Sequence, residues 1–262
     1  GEAHGNLGVA LMRQGKLGEG ATHLAAASRL NPNNPEAHYN LGLALLELNN
    51  PREATDQFAE ALRLNPDAPG PHYHLAIALV RQKRYADAYW AIRREHPFPS
   101  VCGRVCNHLC EDACSRRKYD EPVNIMALKR FVADWAYEHR NELPNMRDKS
   151  LLGTPFSHHP EPTGKKVGII GAGPAGLTAA LDLVRLGHKV VVFDGLPVAG
   201  GMMRVGIPPH RLNYEMMDWE IQQIRDEGVE IHLNTFVHDI PGLFGRKSDK
   251  FGGPYDAVLI AS

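Results

Sequence analysis

The sequence predicts a multi-domain protein of mixed α and α/β class, with an N-terminal α-helical solenoid, a short helical segment and a domain built on a parallel sheet. Three features predict this order: a repeat with a period of 34 residues, four cysteines within thirteen residues, and a glycine-rich turn between two apolar strands. From them we expect the solenoid at 1–96, the helical segment at 97–145, a polar, proline-rich linker at 146–164 and the α/β domain at 165–262.

Length and composition narrow the class of protein. The chain has 262 residues, 43% of them hydrophobic, which suits a globular protein of about two domains. A formal net charge of −1 gives no electrostatic footprint for nucleic acid. No apolar run is long enough for membrane insertion. The chain begins inside a repeat and ends directly after a predicted strand, so we expect it to be part of a longer protein.

The repeat is visible in three segments that start 34 residues apart, EAHGNLGVAL, EAHYNLGLAL and GPHYHLAIAL, in which Leu7, Leu41 and Leu75 coincide. Pro32 and Pro66 close the first two repeats in LNP motifs. The period, the small residues at fixed positions and the closing proline match the tetratricopeptide repeat. We expect stacked helical hairpins with a concave groove that binds a partner or holds subunits together, although a repeat that only caps or spaces the rest is the alternative.

Three histidines, His4, His38 and His72, recur with the same period on the first helix of each repeat. Such a series suggests either a ladder of metal ligands or three copies of one packing position. The repeat often carries an aromatic residue at this place, so we expect packing.

The four cysteines, Cys102, Cys106, Cys110 and Cys114, follow a C-x3-C-x3-C-x3-C spacing. On one straight helix the outer pair would stand about 18 Å apart, so the segment must fold around any shared ligand. Four thiolates fit a [4Fe–4S] cluster, though not at the usual ferredoxin spacing. Zinc is the main alternative, and two disulfides would need an oxidising compartment.

The glycine-rich turn belongs to a strand–helix–strand unit. Its parts are a strand at 167–170, the G-x-G-x-x-G of Gly171, Gly173 and Gly176, a helix at 177–186, a strand at 190–193 and an acidic residue, Asp194. The first glycine allows a tight turn, the second lets the backbone approach a pyrophosphate, and the third packs the helix on the strand. Asp194 can accept hydrogen bonds from a ribose. This order predicts a Rossmann-like dinucleotide site rather than an ordinary glycine-rich turn.

Periodicity predicts the remaining elements. Helices are expected at 86–94, 123–139 and 214–227, strands at 229–233 and 257–261, and a long glycine-rich loop at 238–255. The helix at 123–139 places one apolar face over the cysteine segment, formed by Ile125, Leu128, Phe131, Val132 and Trp135.

Two further motifs carry a resemblance to a known family. Gly200-Gly201, Met202 and GIPPHRL follow Asp194, and HPFPSVCGRVC with DEPVNIMALKRF surrounds the cysteines. From about residue 85 to the end, this layout resembles the glutamate synthase small subunit family and the flavin domain of dihydropyrimidine dehydrogenase. The resemblance implies FAD, held by Gly171, Ala172, Gly173, Pro174, Ala175, Gly176, Asp194, Gly200, Gly201, Met202, Arg211 and Val237. The pyrophosphate would lie at 171–175, the ribose at Asp194, the flavin along Gly201, Met202 and Arg211, and the adenine end at the Val237 backbone. The family acid is usually Glu, so Asp194 is one methylene shorter.

The same resemblance implies a [4Fe–4S] cluster on Cys102, Cys106, Cys110 and Cys114, and an NAD(P)H donor whose domain would lie beyond residue 262. Relatives with two clusters carry a further cysteine motif upstream, where this chain has cysteine-free repeats. We therefore expect one cluster with four local ligands, and His108 only as an unfavoured fifth candidate.

No Ser-His-Asp set, carboxylate pair or general base stands out, so we name no catalytic side chain and expect cofactors to carry the chemistry. The sequence thus predicts a cytoplasmic NAD(P)H-linked flavin and iron–sulfur electron-transfer subunit, docked to other redox subunits through its repeats. A homo-oligomer is the alternative assembly, and a non-catalytic assembly subunit is the alternative function.

Overall fold

Two units make up the chain, and the computed structural model describes residues 1–66, 68–114, 121–143, 150–151, 154–155, 161–244 and 253–261. Gly1–His96 and Glu138–Phe156 form the first, called here the repeat unit, while Pro97–Tyr137 and Ser157–Ser262 form the second, called the sheet unit. Among the described residues, no helix is long and apolar enough to cross a membrane.

The repeat unit consists of helical hairpins. Its elements are α1 (Glu2–Arg13), α2 (Leu17–Leu30), α3 (Pro35–Glu47), α4 (Pro51–Leu64), α5 (Pro69–Arg81), α6 (Tyr85–Glu95) and a short antiparallel pair, β1 (Ser150–Leu151) and β2 (Thr154–Pro155). Each helix packs against the next along the chain. The β1–β2 pair falls within the predicted linker, whose other residues lie largely outside the described part of the chain.

Small residues let the two helices of a hairpin approach each other. A Cβ on Gly8 would stand 2.6 Å from Leu24 Cγ, and one on Gly42 would stand 2.5 Å from Phe58 Cε1. Leu24 and Phe58 are both fully buried. At these small positions of the repeat, a large side chain of the facing helix therefore fills the space that a Cβ would need.

Two of the recurring histidines are packing residues that also tie one repeat to the preceding turn. His38 Nε2 lies 2.9 Å from the Pro32 carbonyl oxygen, and His72 Nε2 lies 2.7 Å from that of Pro66. Both side chains are buried. The predicted packing role is confirmed for these two residues, and the prolines they contact are those of the LNP motifs.

The sheet unit contains the parallel sheet. Its elements are α7 (Pro99–Val105), α8 (Leu109–Asp112), α9 (Ile125–Glu138), β3 (Lys166–Ile170), α10 (Pro174–Arg185), β4 (Lys189–Phe193), α11 (Met202–Val205), α12 (Tyr214–Asp226), β5 (Glu230–His232), α13 (Ile240–Leu243) and β6 (Ala257–Ile260). The strand order is β5-β4-β3-β6, with all pairs parallel. In the register, Gly168 of β3 pairs with Val191 of β4 on one side and with Val258 of β6 on the other.

The strand connections change direction at β3: β4 and β5 lie on one side of β3, and β6 lies on the other. In an open α/β sheet, this switch point is where ligands bind, at the carboxyl ends of the strands. The predicted fold class, a helical repeat followed by a Rossmann-like parallel sheet, is confirmed.

The cysteine-bearing helix α7 shares the core of the sheet unit. Phe98 and Val101 are each 4% exposed and belong to one apolar cluster with Ile169 of β3, Leu177 of α10 and Ile221 of α12. Burial of apolar side chains against both the sheet and its helices holds α7 in place. The division of this unit into a cysteine segment and a nucleotide domain remains a prediction.

Two sequence-based expectations are corrected. The apolar face predicted for α9 is confirmed at Val132, which is buried, but wrong at Phe131, which is 47% exposed; the other buried residues are Ala133 and Ala136. The backbone of α9 comes so close to α7 that a Cβ on Gly103 would stand 2.7 Å from Arg130 Cα. The loop at 238–255 also contains the unpredicted helix α13, which Asp239 caps by accepting a hydrogen bond from Gly242 N.

Candidate functional site

A cavity of about 780 Å³ lies at the carboxyl ends of the central strands. Its walls come from the glycine turn after β3, the end of β4, α11 and the loop that follows β5. The lining residues are Ile170, Gly171, Gly173, Pro174, Ala175, Phe193, Asp194, Gly195, Leu196, Gly201, Met202, Val205, Thr235, Phe236, Val237, Ile240, Ile260 and Ala261. The position is that of a ligand site in a doubly wound sheet, and the lining is mostly apolar side chains and backbone.

The first glycine turn is held tightly by the protein itself. Gly171 has φ +114°, which favours glycine, and its N–H donates to the Phe193 carbonyl oxygen at 2.7 Å. A Cβ on Gly176 would stand 2.0 Å from the Gly171 oxygen. Gly176 is thus the glycine that lets α10 pack against the end of β3, as its motif predicts.

Gly173 is different, because no neighbouring group in the described part of the chain accounts for its missing side chain. Its backbone is extended, at φ −80° and ψ −178°, and a Cβ there would find its nearest atom, Gly201 Cα, at 3.9 Å. Pro174 opens α10, and no side chain caps the helix. The first-turn N–H groups and the positive end of the helix dipole therefore face the cavity edge, as an anion site requires.

Asp194 fixes the glycine turn to the end of β4. Its Oδ2 accepts a hydrogen bond from Ala172 N at 2.7 Å, and its Oδ1 accepts one from Leu196 N at 2.8 Å. A carboxylate has about four acceptor sites, so both oxygens can still accept a hydroxyl from the cavity that Asp194 lines. The shorter acid thus closes the turn and faces the ligand space at once.

The second glycine pair folds back onto the first turn. Gly200 has φ +115° and Gly201 has φ +50°, and Gly200 N donates to the Ala172 carbonyl oxygen at 2.8 Å. A Cβ on Gly201 would stand 2.8 Å from Gly173 Cα. The two glycine segments together form a backbone cradle at the base of the cavity.

Most of the residues predicted to bind a dinucleotide come together here. The cavity is lined by Gly171, Gly173, Pro174, Ala175, Asp194, Gly201, Met202 and Val237. Ala172, Gly176 and Gly200 support these residues through the backbone contacts just described. Arg211 is exposed and does not belong to the lining.

From the loop after β5, sequence reasoning named Val237 but missed Thr235, Phe236 and, in α13, Ile240. Phe236 is 66% exposed, although its ring packs 4.5 Å from that of His238 and 3.0 Å from where a Gly195 Cβ would stand. The usable signal was positional: a loop that follows a parallel strand of the same sheet must reach the same edge of that sheet as the glycine turn.

These features fit a dinucleotide. The cradle leaves room at Gly173 that no described protein group fills, an uncapped helix start faces that room, and the apolar walls suit flat rings. The site residues named from the sequence are thus compatible with the geometry, and their ligand contacts remain a prediction.

The cysteine segment bends at His108, which has φ +44° between α7 and α8. Cys102 lies on α7, Cys106 follows it and accepts a hydrogen bond from His108 N at 3.3 Å, and Cys110 lies exposed on α8. Burial raises the pKa of the Cys102 thiol, against a smaller opposing effect of Lys129.

The cysteines are not gathered around one point. Within the described ranges, which include all four, no group of three or more His, Cys, Asp or Glu side chains is arranged to hold a metal ion. As they stand, these residues do not fit a cluster. The four-ligand set therefore rests on the spacing and stays a prediction.

Three family models match parts of the chain. Residues 72–141 match the family model described as dihydropyrimidine dehydrogenase domain II, 4Fe–4S cluster. The tetratricopeptide repeat model matches residues 6–69 and 42–97, and that of an NAD(P)-binding Rossmann-like domain matches residues 169–226.

Curated relatives match the chain over about 70% of its length. The NADP(+)-dependent formate dehydrogenase subunit beta of Moorella thermoacetica is 40% identical over 193 residues, or 26% of that protein. The NADPH-Fe(3+) oxidoreductase subunit beta of Geobacter sulfurreducens is 40% identical over 184 residues, or 25% of that protein. The glutamate synthase [NADPH] small chain of Mycobacterium tuberculosis is 33% identical over 183 residues, or 34% of that protein.

The chain therefore spans about a quarter to a third of the length of these relatives. A solved structure of a Thermobaculum terrenum O-GlcNAc transferase covers 90% of this chain and 42% of its own, at 16% identity and a TM-score of 0.32, which is too remote to support an argument. Over the residues that the family models and relatives match, the predicted resemblance to glutamate synthase small subunits and dihydropyrimidine dehydrogenase, preceded by tetratricopeptide repeats, is confirmed.

Proposed function

We propose that this chain is part of an NAD(P)H-linked flavin and iron–sulfur oxidoreductase, and that its cavity holds FAD. The observation that carries the proposal is the backbone cradle formed by Gly173 and Gly201 below an apolar cavity of about 780 Å³. The names of the relatives, which include an NADPH-dependent oxidoreductase subunit and a glutamate synthase small chain, support the reaction class.

FAD is favoured over a nicotinamide dinucleotide by the second glycine pair. The lining continues from the first turn past Gly201 to Met202 and Val205, so the backbone stays close to a long ligand over two separate segments. Such a shape suits a pyrophosphate over the first turn and a tricyclic ring beyond the second.

The residues around the cavity would have different parts in binding FAD. The start of α10 would hold the pyrophosphate with its N–H groups, and Asp194 would accept hydrogen bonds from ribose hydroxyls while it holds the turn closed. Met202, Val205 and Ile240 would exclude water from the rings. When bound, FAD supplies hydride acceptance and single-electron release, chemistry that no side chain can perform.

We further propose that Cys102, Cys106, Cys110 and Cys114 are the ligands of an iron–sulfur cluster. Their number, spacing and place within the matched domain II segment support this assignment. Since the cysteines are not gathered around one point, we derive no electron path through them. Metal analysis of the purified protein decides between near four irons per chain, which supports one cluster, and one zinc without iron, which overturns it.

The remaining parts of the proposal concern context. We propose a cytoplasmic complex in which the repeat unit docks to other redox subunits or to a second copy, and in which the nicotinamide site lies outside residues 1–262. Deletion of residues 1–80 should then reduce the number of subunits in the complex, and an unchanged subunit composition would contradict the docking role.

A non-catalytic assembly subunit that acts through its repeats is the second candidate, and the tetratricopeptide repeat matches at residues 6–69 and 42–97 favour it. Visible absorbance and NAD(P)H–dye reductase activity of the full-length protein separate the two. Stoichiometric FAD with NAD(P)H-dependent dye reduction is expected, whereas a protein without flavin and without reductase activity would overturn the oxidoreductase assignment.

A further inference from the structure

The sheet unit contains a buried carboxylate that does not line the cavity, Glu220 on α12. Both Glu220 and its partner Ser100 are 0% exposed. Glu220 Oε1 accepts a hydrogen bond from Ser100 N at 2.8 Å, and Oε2 accepts one from Ser100 Oγ at 2.6 Å. Burial of a carboxylate is costly unless such bonds compensate it, so the pair is a specific feature and not an incidental contact.

Ser100 stands in the first turn of α7, the helix that carries Cys102 two residues further on. No side chain of α7 itself caps this helix, whose N-cap residue is Phe98. The carboxylate of Glu220 therefore takes the place of the missing cap, from an element 120 residues away in sequence. A negative charge at a helix start is also favoured by the helix dipole.

The same helix, α12, reaches the glycine cradle through Met217. A Cβ on Gly200 would stand 3.1 Å from Met217 Cε and 3.3 Å from its Sδ, so these atoms pack directly on the glycine pair. Met217 and Glu220 are three residues apart, hence on one face of α12, and both are fully buried. One rigid element thus contacts the cradle at one point and the cysteine helix at the next.

On its other side α7 is held by α9. Arg104 Nη2 donates to Asp134 Oδ1 at 2.5 Å, and Gly103 allows close approach of the α9 backbone at Arg130. Removing the α9 contact alone would leave α7 attached to α12 through Ser100. The bond to Glu220 is the polar contact that sets α7 relative to the cradle.

We propose that Glu220 is a positioning residue that fixes the cysteine-bearing helix α7 at a set place relative to the dinucleotide cradle. The bond holds the Cys102 end of the segment in register with α12, while Cys110 lies beyond the bend at His108. The proposal rests on the proposed function only for its purpose, which is to hold a cluster ligand near a bound flavin. The contact between Glu220 and Ser100 itself requires no cofactor.

The test measures local opening of α7 in the full chain. Each cysteine is alkylated with iodoacetamide and quantified by peptide mass spectrometry, and hydrogen exchange of the α7 amides is followed in parallel because bound metal would protect the thiols. Glu220→Ala should raise the Cys102 to Cys110 alkylation ratio and the α7 exchange rates by about tenfold or more, as loss of a buried charged hydrogen bond predicts.

Two variants separate positioning from general loss of stability. Glu220→Gln should stay within about twofold of the wild type, because the amide oxygen can accept from Ser100 N while the amide N–H donates to Ser100 Oγ. Glu227→Ala is the matched control. It removes another buried carboxylate, one that follows α12 and pairs with Arg185 at 2.9 Å, so it should lower the melting temperature without raising the ratio.

The outcomes are distinct. Unchanged ratio and exchange in Glu220→Ala, or an equal rise in Glu227→Ala, would overturn the proposal. If Glu220→Ala does not fold, Ser100→Ala, which deletes one of the two bonds, should show a smaller rise in the same ratio and exchange, and no rise would overturn the proposal equally. Absence of flavin or iron from the wild type would refute the proposed function and leave this measurement intact.

Discussion

Gly201 lies against Gly173 asymmetrically: a Cβ on Gly201 would stand 2.8 Å from Gly173 Cα, whereas one on Gly173 would find its nearest atom at 3.9 Å. Gly201 is required by the packing of the protein, because its positive φ and its close neighbour both disfavour a side chain. Gly173 is required only if a ligand occupies the space in front of it. This difference allows the ligand site to be tested without disturbing the fold.

Gly173→Val should fold normally but lose FAD. The position is an N-cap with extended backbone, so the substitution should cost no more than about 1 kcal/mol of unfolding free energy. Its side chain would occupy the space assigned to the pyrophosphate. Flavin content and thermal unfolding check this, and stoichiometric FAD in the variant would contradict the assignment.

Gly176→Ala is the matched comparison, since its Cβ would stand 2.0 Å from the Gly171 oxygen. The turn must shift to admit it, so this variant should lose stability and flavin together. If Gly173→Val and Gly176→Ala lost stability and flavin to the same extent, Gly173 would be required only for packing, as Gly176 is.

Asp194→Ala should weaken both the glycine turn and FAD binding. Two backbone N–H groups, of Ala172 and Leu196, would lose their acceptor, at a cost of about 1–3 kcal/mol in unfolding free energy. Asn213→Ala is the control, because Asn213 also accepts two backbone N–H groups, at the start of α12, but does not line the cavity. It should cost about 1 kcal/mol and leave the flavin affinity unchanged.

The glycine turn shows what could be predicted from sequence, because the positive φ of Gly171 and the close packing at Gly176 favour glycine within one short stretch of chain. The loop after β5 shows the limit. Phe236 reaches the cavity through the sheet order β5-β4-β3-β6, a long-range property that local periodicity does not contain. Arg211, named from its motif, is exposed outside the lining, and its contact with the flavin stays a prediction.

The helix α9 makes the same point about packing. Its apolar periodicity predicted a face that includes Phe131 and Val132, yet only Val132 of these two is buried, together with the small residues Ala133 and Ala136. Small residues at the interface are chosen where two helices approach closely, as Gly103 shows for α7 and α9. Large apolar side chains indicate the buried face of a helix only where the neighbouring helix leaves space for them.

Within the repeat unit, two glycines should respond to alanine with opposite sign. In Gly42→Ala, the added Cβ would stand 2.5 Å from the ring of buried Phe58, so the variant should lose about 1–3 kcal/mol in unfolding free energy. Gly5→Ala places its Cβ 3.9 Å from Ala27 Cβ inside α1 and should gain about 0.5–1 kcal/mol. Denaturant unfolding of both variants measures the difference, and equal signs would contradict the packing argument.

Stability at alkaline pH should depend on Tyr255, which is 3% exposed and packs edge-on against Phe193. Burial raises its pKa to about 12, while the same phenol in the unfolded chain has a pKa of about 10. Between these values the unfolded state has released the proton and the folded state still holds it, so the unfolding free energy falls as pH rises from 10 to 12. Tyr255→Phe should show a shallower fall over this range, and an identical slope would refute the assignment.

Phe236→Ala should weaken FAD binding without loss of stability. The ring is 66% exposed and lines the cavity beside Val237, at the end where the adenine is expected, so its exposed face is available to stack on a base. Stacking of a base on an aromatic side chain contributes about 1–3 kcal/mol, which corresponds to a rise in Kd of about tenfold or more. The FAD affinity of Phe236→Leu should lie between those of the wild type and Phe236→Ala, because leucine keeps apolar cover but offers no flat ring.

Phe244→Ala is the control, since Phe244 is 49% exposed in the same region and does not line the cavity. Titration of the apoprotein with FAD measures all three, and equal affinities for Phe236→Ala and Phe244→Ala would place the adenine elsewhere.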